Sequence, residues 1–407
     1  MDPIVLLVFA FVYLGMIVGR VHGLALDRTG IALLGAIALL ATGRVGLHAA
    51  WQSVDDSTIA LLMGLMVVSA QFRLGGFYTR VAHGLAGLTA SPPVVLGLLI
   101  GAAGVLSALL ANDIVCLAVT PVLVEGCARR GLNPVPYLLG LACAANIGSA
   151  ATLIGNPQNM LIGQMLGLHF TTYLLQGGVP AVLGLGVAWA IVCGLYRGRW
   201  HVETPVPEVH AAAFDAWQTA KGGVVLGGVV VVFLLTSWPR DVVALTAAGV
   251  LLTSRRMASR PMLAAVDWHL LVLFAGLFVV NRAVQECSLL ESAAGWLSAG
   301  GIDVHRPGWL FIVTAVLSNL VSNVPATMLL LPFATHPLAG PVLALSSTLA
   351  GNLFIVGSIA NIIVVEQAAA LGVRITWAEH ARVGVPVTLA TLSGAALWLW
   401  VLCAAGA

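Results

Sequence analysis

The sequence predicts an all-α polytopic membrane protein built from two inverted repeats. Composition and internal repetition both support this fold class. Apolar residues make up 60% of the 407 residues and charged residues only 8%, whereas a soluble domain carries about 25% charged residues. Lipid must therefore surround most of the chain. In addition, polar motifs of the first half recur in the same order in the second half.

Charge and cysteine usage exclude several function classes. The net charge is only +2 and no basic block occurs, so nucleic acid is not an expected partner. The six cysteines form no CxxC pair, which argues against a disulfide framework or a zinc site. Residues 3–19 lack a basic leading region and a small-residue cleavage site. We therefore expect this segment to be a retained first span.

Apolar stretches divide the chain into about ten transmembrane helices. A span needs about 17–25 apolar residues. Such stretches, some completed by their flanks, fall near 3–19, 30–43, 58–77, 138–163, 174–196, 222–237, 241–254, 268–287, 342–368 and 383–403. Two further apolar segments, 94–126 and 308–333, carry polar residues in their middle.

Motif pairs at nearly constant offsets indicate a duplicated unit. Val54-Asp55 recurs as Val266-Asp267, 212 residues later. Four other matches follow in order: Gly64-Leu65 with Gly276-Leu277, Asn112 with Asn323, Gly155 and Asn159 with Gly357 and Asn361, and Gly178-Val179-Pro180 with Gly384-Val385-Pro386. We predict a first repeat over 1–199, a cytoplasmic linker over 200–221 and a second repeat over 222–407.

The distribution of the 18 Lys and Arg residues tests the two interrupted segments. If each is a re-entrant hairpin, each repeat crosses five times and the second repeat is inverted. One side then receives all the Lys and Arg residues except Arg44, Arg240, Arg282 and Arg306, a division of 14 against 4. Single crossings would give 9 against 9. The positive-inside rule therefore favours hairpins and places both termini outside.

Four polar clusters lie at lipid depth, namely the two hairpin tips and the interiors of the broken spans 138–163 and 342–368. Irregular backbone at this depth is tolerated where it lines a cavity in the protein. Paired broken helices in corresponding halves indicate a substrate site. The candidate substrate- or ion-binding residues are Asn112, Asp113, Asn146, Gly148, Ser149, Thr152, Gly155, Asn156, Pro157, Asn159, Ser322, Asn323, Asn352, Gly357, Ser358 and Asn361.

These clusters also carry residues typical of helix starts. Asn112, Ser322 and Ser358 are expected N-caps, and Asn156-Pro157 is a cap followed by proline at the first helical position. Up to four helix N-termini would then point at one place. Their free N–H groups and positive dipole ends favour a bound anion.

Asp113 in the first tip suggests ion coupling. A carboxylate near the membrane midplane costs at least about 2.5–3.5 kcal/mol, and its repeat counterpart is the apolar Val324. A bound Na⁺ or H⁺ would offset that cost. A sodium site is therefore expected near Asn112, Asp113, Ser322 and Asn323, with the choice between Na⁺ and H⁺ open and no cofactor.

The stretch Asn112–Pro121 followed by Asn146–Asn159 resembles the ion transporter superfamily. That group includes citrate-transporter-like permeases, divalent anion:sodium symporters, arsenite pumps of the ArsB type and a branch of Na⁺/H⁺ antiporters. The resemblance implies a scaffold domain, an elevator-like transport domain and a homodimer.

The resemblance also separates branches of this superfamily. In the symporters the hairpin tips read Ser-Asn-Thr and contact sodium and carboxylate. Here Asn112, Ser322 and Asn323 match that pattern, whereas Asp113 and Val324 replace both Thr residues. The Asn-Asp tip is similar to the arsenite-pump and antiporter branch, and the turn Ile154–Pro157 is similar to the anion permeases.

Together these observations predict a secondary active transporter of a small anion, a di- or tricarboxylate or an inorganic oxyanion, in the plasma (inner) membrane. Its partners would be the anionic substrate and membrane lipid. Arsenite efflux or Na⁺/H⁺ exchange is the alternative, motivated by Asp113. An intramembrane enzyme is not expected, because the sequence has no HExxH motif and Asp113 has no acidic counterpart in the other repeat.

Overall fold

The computed structural model describes residues 2–19, 26–202, 205–207 and 213–406. These residues are helical without strands, and one isolated bridge joins Leu132 to His201. Parts of the predicted linker, 203–204 and 208–212, lie outside the described residues.

Ten helices form the first half of the described chain. They are α1 (Pro3–Val18), α2 (Arg28–Ala41), α3 (Leu47–Ser53), α4 (Asp56–Leu74), α5 (Phe77–Ala86), α6 (Pro92–Leu109), α7 (Asn112–Arg129), α8 (Pro134–Ser149), α9 (Pro157–Met165) and α10 (Phe170–Leu195). The broken span predicted over 138–163 corresponds to α8 and α9.

The described second half contains helices in the same order. They are α11 (Ala216–Leu235), α12 (Arg240–Leu252), α13 (Ser259–Ala264), α14 (Trp268–Glu286), α15 (Leu289–Ala299), α16 (Pro307–Val321), α17 (Asn323–Leu330), α18 (Ala339–Ala350), α19 (Ile359–Ala370) and α20 (Trp377–Ala404). Short 3₁₀ turns over Leu331–Phe333 and Ile355–Gly357 follow α17 and precede α19.

Repeated motifs produce repeated local structure. Asp55 and Asp267, which belong to the first matched motif, cap α4 and α14 by accepting from backbone N–H groups three residues later, at 2.6 and 3.0 Å. A carboxylate at a helix start satisfies a free N–H group and the positive dipole end. The motif match at offset 212 therefore marks equivalent helix starts.

The two halves pack against each other through equivalent pairs of helices. α4 packs against α12, and α14 packs against α2. Both contacts use a glycine, since a Cβ atom on Gly64 would lie 2.6 Å from the backbone of Ala244, and one on Gly276 would lie 2.9 Å from that of Ala32. The two glycines are 212 residues apart, and so are Ala32 and Ala244. This exchange is the arrangement that two copies related by a twofold axis produce.

Each interrupted segment is a helical hairpin whose ends lie together. The guanidinium of Arg130, after α7, donates to the carbonyl of Ala90, before α6, at 3.3 Å. In the second hairpin, the rings of His305 and Phe333 lie edge to face with centroids 5.6 Å apart. The chain therefore enters and leaves each helical hairpin at one end.

Six of the described helices are long and apolar enough to cross a membrane: α4, α6, α10, α11, α14 and α20. α1 and α2 are apolar but shorter, with 16 and 14 residues. Large apolar side chains such as Val224 and Leu235 are 77% and 78% exposed, whereas Asn146 is buried. This reversal of the pattern in soluble proteins identifies a multi-pass membrane protein.

The linker ends earlier than its polar composition suggests. α11 begins at Ala216, and the carboxylate of Asp215 caps it by accepting from the N–H of Gln218 at 3.0 Å. Residues up to Lys221, predicted as linker, therefore form the first turns of a helix. A polar first turn is compatible with a helix whose apolar part starts one turn later.

Candidate functional site

The first break separates α8 from α9 and is stabilised by Asn156. Its backbone is extended, and its side-chain oxygen accepts from the N–H of Asn159 at 2.9 Å. Pro157 occupies the first helical position, where a missing N–H costs nothing. The predicted Asn-Pro helix start is confirmed.

The second break is built in the same way around Ser358. This residue is extended and caps α19, its hydroxyl accepting from the N–H of Ala360 at 3.2 Å. Asn156 and Ser358 are 202 residues apart, the offset that also relates Asn159 to Asn361. The two breaks are therefore equivalent positions of the two repeats.

Asn146 on α8 connects the first repeat to the second break. Its side-chain nitrogen donates to the side-chain oxygens of Asn352 at 2.9 Å and Asn361 at 3.0 Å. Its oxygen accepts from the hydroxyl of Ser358 at 2.8 Å. All four residues are at least 95% buried.

Thr348 on α18 makes the reciprocal connection to the first break. Its hydroxyl oxygen lies 3.1 Å from the side-chain nitrogen of Gln158 and 3.3 Å from that of Asn156. The hydroxyl also lies 3.4 Å from the side-chain oxygen of Asn159. Thr348 follows Asn146 by 202 residues, the offset that also relates Asn156 to Ser358 and Asn159 to Asn361. Two partners of Thr348 are therefore equivalent to two partners of Asn146, whereas Gln158 and Asn352 have no such match.

Residues around the first break complete this network. Asn159 donates to the carbonyl of Thr152 at 2.9 Å and to the hydroxyl of Tyr173 at 3.1 Å. Ser149 accepts from Asn156 at 2.9 Å. We call the joined side chains the break cluster: Asn146, Ser149, Asn156, Gln158, Asn159, Thr348, Asn352, Ser358 and Asn361.

The second hairpin tip lies against the break cluster. With its amide oriented to suit its neighbours, Asn323 donates to the carbonyls of Ser347 at 3.1 Å and Gly357 at 3.3 Å. It also accepts from Gln158 at 3.1 Å. The N-terminus of α17 therefore meets those of α9 and α19.

Ser322, just before that helix, has φ 77° and ψ 159°, a conformation otherwise almost confined to glycine. It stands at the N-cap position, but its side chain makes no capping hydrogen bond, contrary to the sequence expectation. Such strain costs on the order of 1–3 kcal/mol and clusters at functional sites.

The first hairpin tip differs from the expectation. Asn112 is the first residue of α7, and Ala111 takes the N-cap position, so Asn112 is not the cap. The side-chain oxygen of Asn112 is buried without a partner among the described residues, and Asp113 beside it is half-buried. The N–H of Ala111 donates to Ser69 at 3.4 Å.

Among the described residues, no hydrogen bond joins Asn112 or Asp113 to Ser322 or Asn323. The four residues are therefore not joined directly to one another, and a sodium ion bound among them stays a prediction. The described chain also holds no group of three or more His, Cys, Asp or Glu side chains placed to bind a metal.

The predicted glycines allow close backbone packing. A Cβ atom on Gly148 would overlap the backbone of Gly104 on α6, and one on Gly155 would lie 2.8 Å from the carbonyl of Ser107. In the second repeat, a Cβ atom on Gly357 would lie 2.8 Å from the side chain of Asn319. These glycines bring the hairpins against the broken spans. They do so without offering a side chain to a ligand.

The electrostatics of the site follow from its composition. All nine side chains of the break cluster are amides or hydroxyls. The N-termini of α9, α17 and α19 meet there, and each contributes free N–H groups and a partial positive charge. The arrangement therefore attracts negative charge through backbone dipoles. Amides and hydroxyls can both donate and accept hydrogen bonds.

Three residues of the site, Gln158, Thr348 and Tyr173, are not among the candidates predicted from the sequence. Tyr173 is fully buried and its hydroxyl donates to the carbonyl of Ala150 at 2.8 Å. Thr348 was recoverable, because the offset of 202 that matches Asn159 with Asn361 also matches Asn146 with Thr348. That match is not obvious, because the first position is an asparagine and the second a threonine.

Comparisons with known proteins find relatives over most of the chain. The citrate transporter family model matches residues 4–341. An uncharacterised transporter of Mycobacterium tuberculosis (strain H37Rv) is 30% identical, covering 92% of this chain and 94% of its own. The silicon efflux transporter LSI3 of Oryza sativa subsp. japonica is 28% identical, covering 90% of this chain and 91% of its own.

Among solved structures, the YdaH transporter of Alcanivorax borkumensis superposes with a TM-score of 0.59. The alignment covers 99% of this chain and 97% of that one at 15% identity. At this identity the likeness establishes the fold alone.

Proposed function

The chain belongs to the citrate transporter family, and from this premise we propose that it is an ion-coupled secondary transporter of a small anion. The family membership makes it a membrane transporter and not an enzyme. The anion we propose is a di- or tricarboxylate or an inorganic oxyanion. The supporting observation is the meeting of three helix N-termini at the break cluster.

Helix N-termini allow a site without charged side chains to select an anion. Helix N-termini bind phosphate and carboxylate groups through free N–H groups and the aligned peptide dipoles. Here Asn323, the first residue of α17, is hydrogen-bonded to Gln158 in the first turn of α9 and to Gly357 just before α19. A site without a cationic side chain also releases its ligand readily, as transport requires.

The proposed architecture places this site at the membrane midplane. Two inverted repeats, each with five spans and one hairpin, would place both termini outside and the linker in the cytoplasm of the cell, with the protein in the plasma membrane. The break cluster and hairpins would form the mobile elevator domain, and α2, α4, α12 and α14 would belong to the scaffold of a homodimer. The exchanged contacts of Gly64 and Gly276 support the twofold relation of the repeats.

Asp113 is the proposed coupling residue. It is the acidic residue of the first turn of α7, next to the unpartnered oxygen of Asn112. A Na⁺ ion or a proton bound at Asp113 would neutralise its charge while an anion occupies the break cluster. This arrangement links occupancy by the coupling ion to occupancy by the substrate.

A second candidate is efflux of a small neutral hydroxy acid, such as arsenous or silicic acid. The amide and hydroxyl composition of the break cluster favours it, since such groups bind neutral OH-rich solutes. One relative is named a silicon efflux transporter. Na⁺/H⁺ exchange remains a further alternative and rests on Asp113.

Reconstitution on a solid-supported membrane separates these candidates. Jumps of succinate, citrate, phosphate, sulfate, arsenite and silicic acid would be recorded with Na⁺ and pH set independently. We expect a current on at least one anion jump that is lost in Asn112→Ala/Asn323→Ala. Silence to every anion together with a current on Na⁺ or pH jumps alone would contradict the proposal. Transport of the two uncharged acids, arsenous and silicic acid, would be followed by measuring their efflux.

A further inference from the structure

Two cavities occupy equivalent places in the two repeats. One, of 340 Å³, is lined by Asp55, Gln164 and Arg240, and we call it the Arg240 vestibule. The other, of 720 Å³, is lined by the repeat counterparts Asp267, Glu366 and Arg28, and we call it the Arg28 vestibule. Each lies between the start of α12 or α2 and the end of α9 or α19.

The smaller vestibule is bridged by Arg240. Its guanidinium donates to the carbonyl of Gly163, in the last turn of α9, at 2.6 Å. A second guanidinium nitrogen is buried without a partner among the described residues. A cation at a helix C-terminus is stabilised by the negative dipole end. This bond ties α12 to the C-terminal end of the first broken span.

The larger vestibule lacks the equivalent bond. Arg28, 212 residues before Arg240, makes no ion pair or hydrogen bond with the described residues, although its Nε is buried. Glu366 lines the same cavity and is exposed. The larger vestibule therefore contains an arginine and a carboxylate that are both unengaged.

The C-terminal end of α19 has a backbone carbonyl that corresponds to the one that Arg240 contacts at the end of α9. The N–H of Leu168 donates to the carbonyl of Gly163 at 3.0 Å, and the N–H of Val373 donates to that of Ala368 at 2.8 Å. Each pair closes its helix just after a glycine with positive φ, Gly167 or Gly372. Because α19 has 12 residues and α9 has 9, the match of 202 residues holds from the helix starts, whereas the helix ends correspond three residues later. Ala368 therefore occupies at the end of α19 the place that Gly163 occupies at the end of α9, and Glu366 lies half a turn before Ala368.

We propose that Arg28 and Arg240 are alternating latches, each closing its own vestibule by docking on the end of the facing broken span. In the present structure Arg240 is docked and Arg28 is released. In the opposite state Arg28 docks on the last turn of α19 and pairs with Glu366, and the hydrogen bond from Arg240 to Gly163 is broken. This inference deepens the proposed function, because it rests on alternating access by the same protein.

Cysteine accessibility tests this directly and needs no substrate. Ile359→Cys reports on the Arg28 vestibule and Gln164→Cys, at a half-buried position, on the Arg240 vestibule, each in a chain whose six own cysteines are replaced. An impermeant maleimide would be applied to detergent-purified protein. In Arg240→Gln we expect labelling at position 164 to rise about tenfold and labelling at 359 to fall. That factor corresponds to removing one charge-assisted hydrogen bond from one of two states.

Arg44→Gln is the matched control, since Arg44 pairs with Asp2 away from both vestibules. It should change neither labelling rate. If Arg240→Gln leaves both rates unchanged, or raises both, the latch is refuted. Arg240→Lys retains the positive charge, and its labelling should lie between those of the wild type and Arg240→Gln. Arg240→Lys therefore also controls for a folding defect in Arg240→Gln.

A charge swap tests the docked state of Arg28. Arg28→Glu faces Glu366 with a like charge, so labelling at 359 should stay high and labelling at 164 should fall. Adding Glu366→Arg restores opposite charges and should return both rates toward the wild type. Failure of the double variant to recover would refute the pairing with Glu366. These rates are independent of substrate, so a wrong substrate class would not affect them.

Discussion

Asn146 donates a hydrogen bond of 3.0 Å to Asn361, a residue 215 positions later in the other repeat. The equivalent pair, Thr348 and Asn159, lies at 3.4 Å. Each broken span is thus held by a side chain of the other broken span. A movement of one break must therefore move the other, so the break cluster behaves as one body.

Removing Asn146 should weaken both folding and transport. In Asn146→Ala, the side chains of Asn352, Ser358 and Asn361 each lose a buried partner, which costs about 1–3 kcal/mol for each group left unpaired. We expect a lower thermal midpoint in detergent and a loss of substrate current. Asn146→Thr is the control, because threonine occupies this position in the other repeat, and it should retain part of both.

Asp113→Asn should uncouple transport from its driving ion. The substitution keeps the size of the side chain and removes its charge, so no ion is needed to neutralise it. We expect substrate exchange to persist, while accumulation driven by Na⁺ or pH is lost. The matched variant Glu125→Gln lies at the base of the same hairpin, beside Arg129, and should leave coupling intact. Unchanged ion dependence in Asp113→Asn would contradict this assignment.

Ser322→Gly should separate stability from function. Glycine adopts φ 77° without strain, and Ser322 makes no capping bond that would be lost. Relief of strain of on the order of 1 kcal/mol should raise the thermal midpoint. If the hydroxyl also contacts the substrate or the ion, KM rises at the same time. A fall in thermal midpoint would show that the serine side chain stabilises the tip.

Gly148→Ala should destabilise the contact between α8 and α6. The added methyl overlaps the backbone of Gly104, and overpacking of this kind costs about 1–3 kcal/mol. Gly101→Ala on α6 is the control, since its Cβ would meet open space. Alanine is the better helix former by about 1 kcal/mol. Thermal unfolding of the two variants should therefore shift in opposite directions.

Much of the fold could be predicted from composition and motif offsets. The helices α6 and α7 are an example, since the polar residues in the middle of 94–126 marked a turn between two helices, while their re-entrance in the membrane stays a prediction. The Asn156-Pro157 and Ser358 helix starts were also recognisable, because capping depends on local sequence.

The sequence could not provide the features that depend on tertiary contacts. Asn112 is a good capping residue, yet the chain places Ala111 at the cap. Ser322 takes a strained backbone that no propensity favours. The partners of Asn146 lie more than 200 residues away, so spacing alone could not reveal them.

The sequence separation of the partners of Asn146 has a consequence for biogenesis. Asn352 and Asn361 are synthesised 206 and 215 residues after it. At about 5–20 residues per second, these amides emerge roughly 10–40 s later. During that interval Asn146 must find water, a transient neighbour or a chaperone within or beside the translocon. The first repeat therefore cannot complete its polar interior by itself, and the last quarter of the chain decides whether the inserted helices become a native protein or a target for membrane proteases.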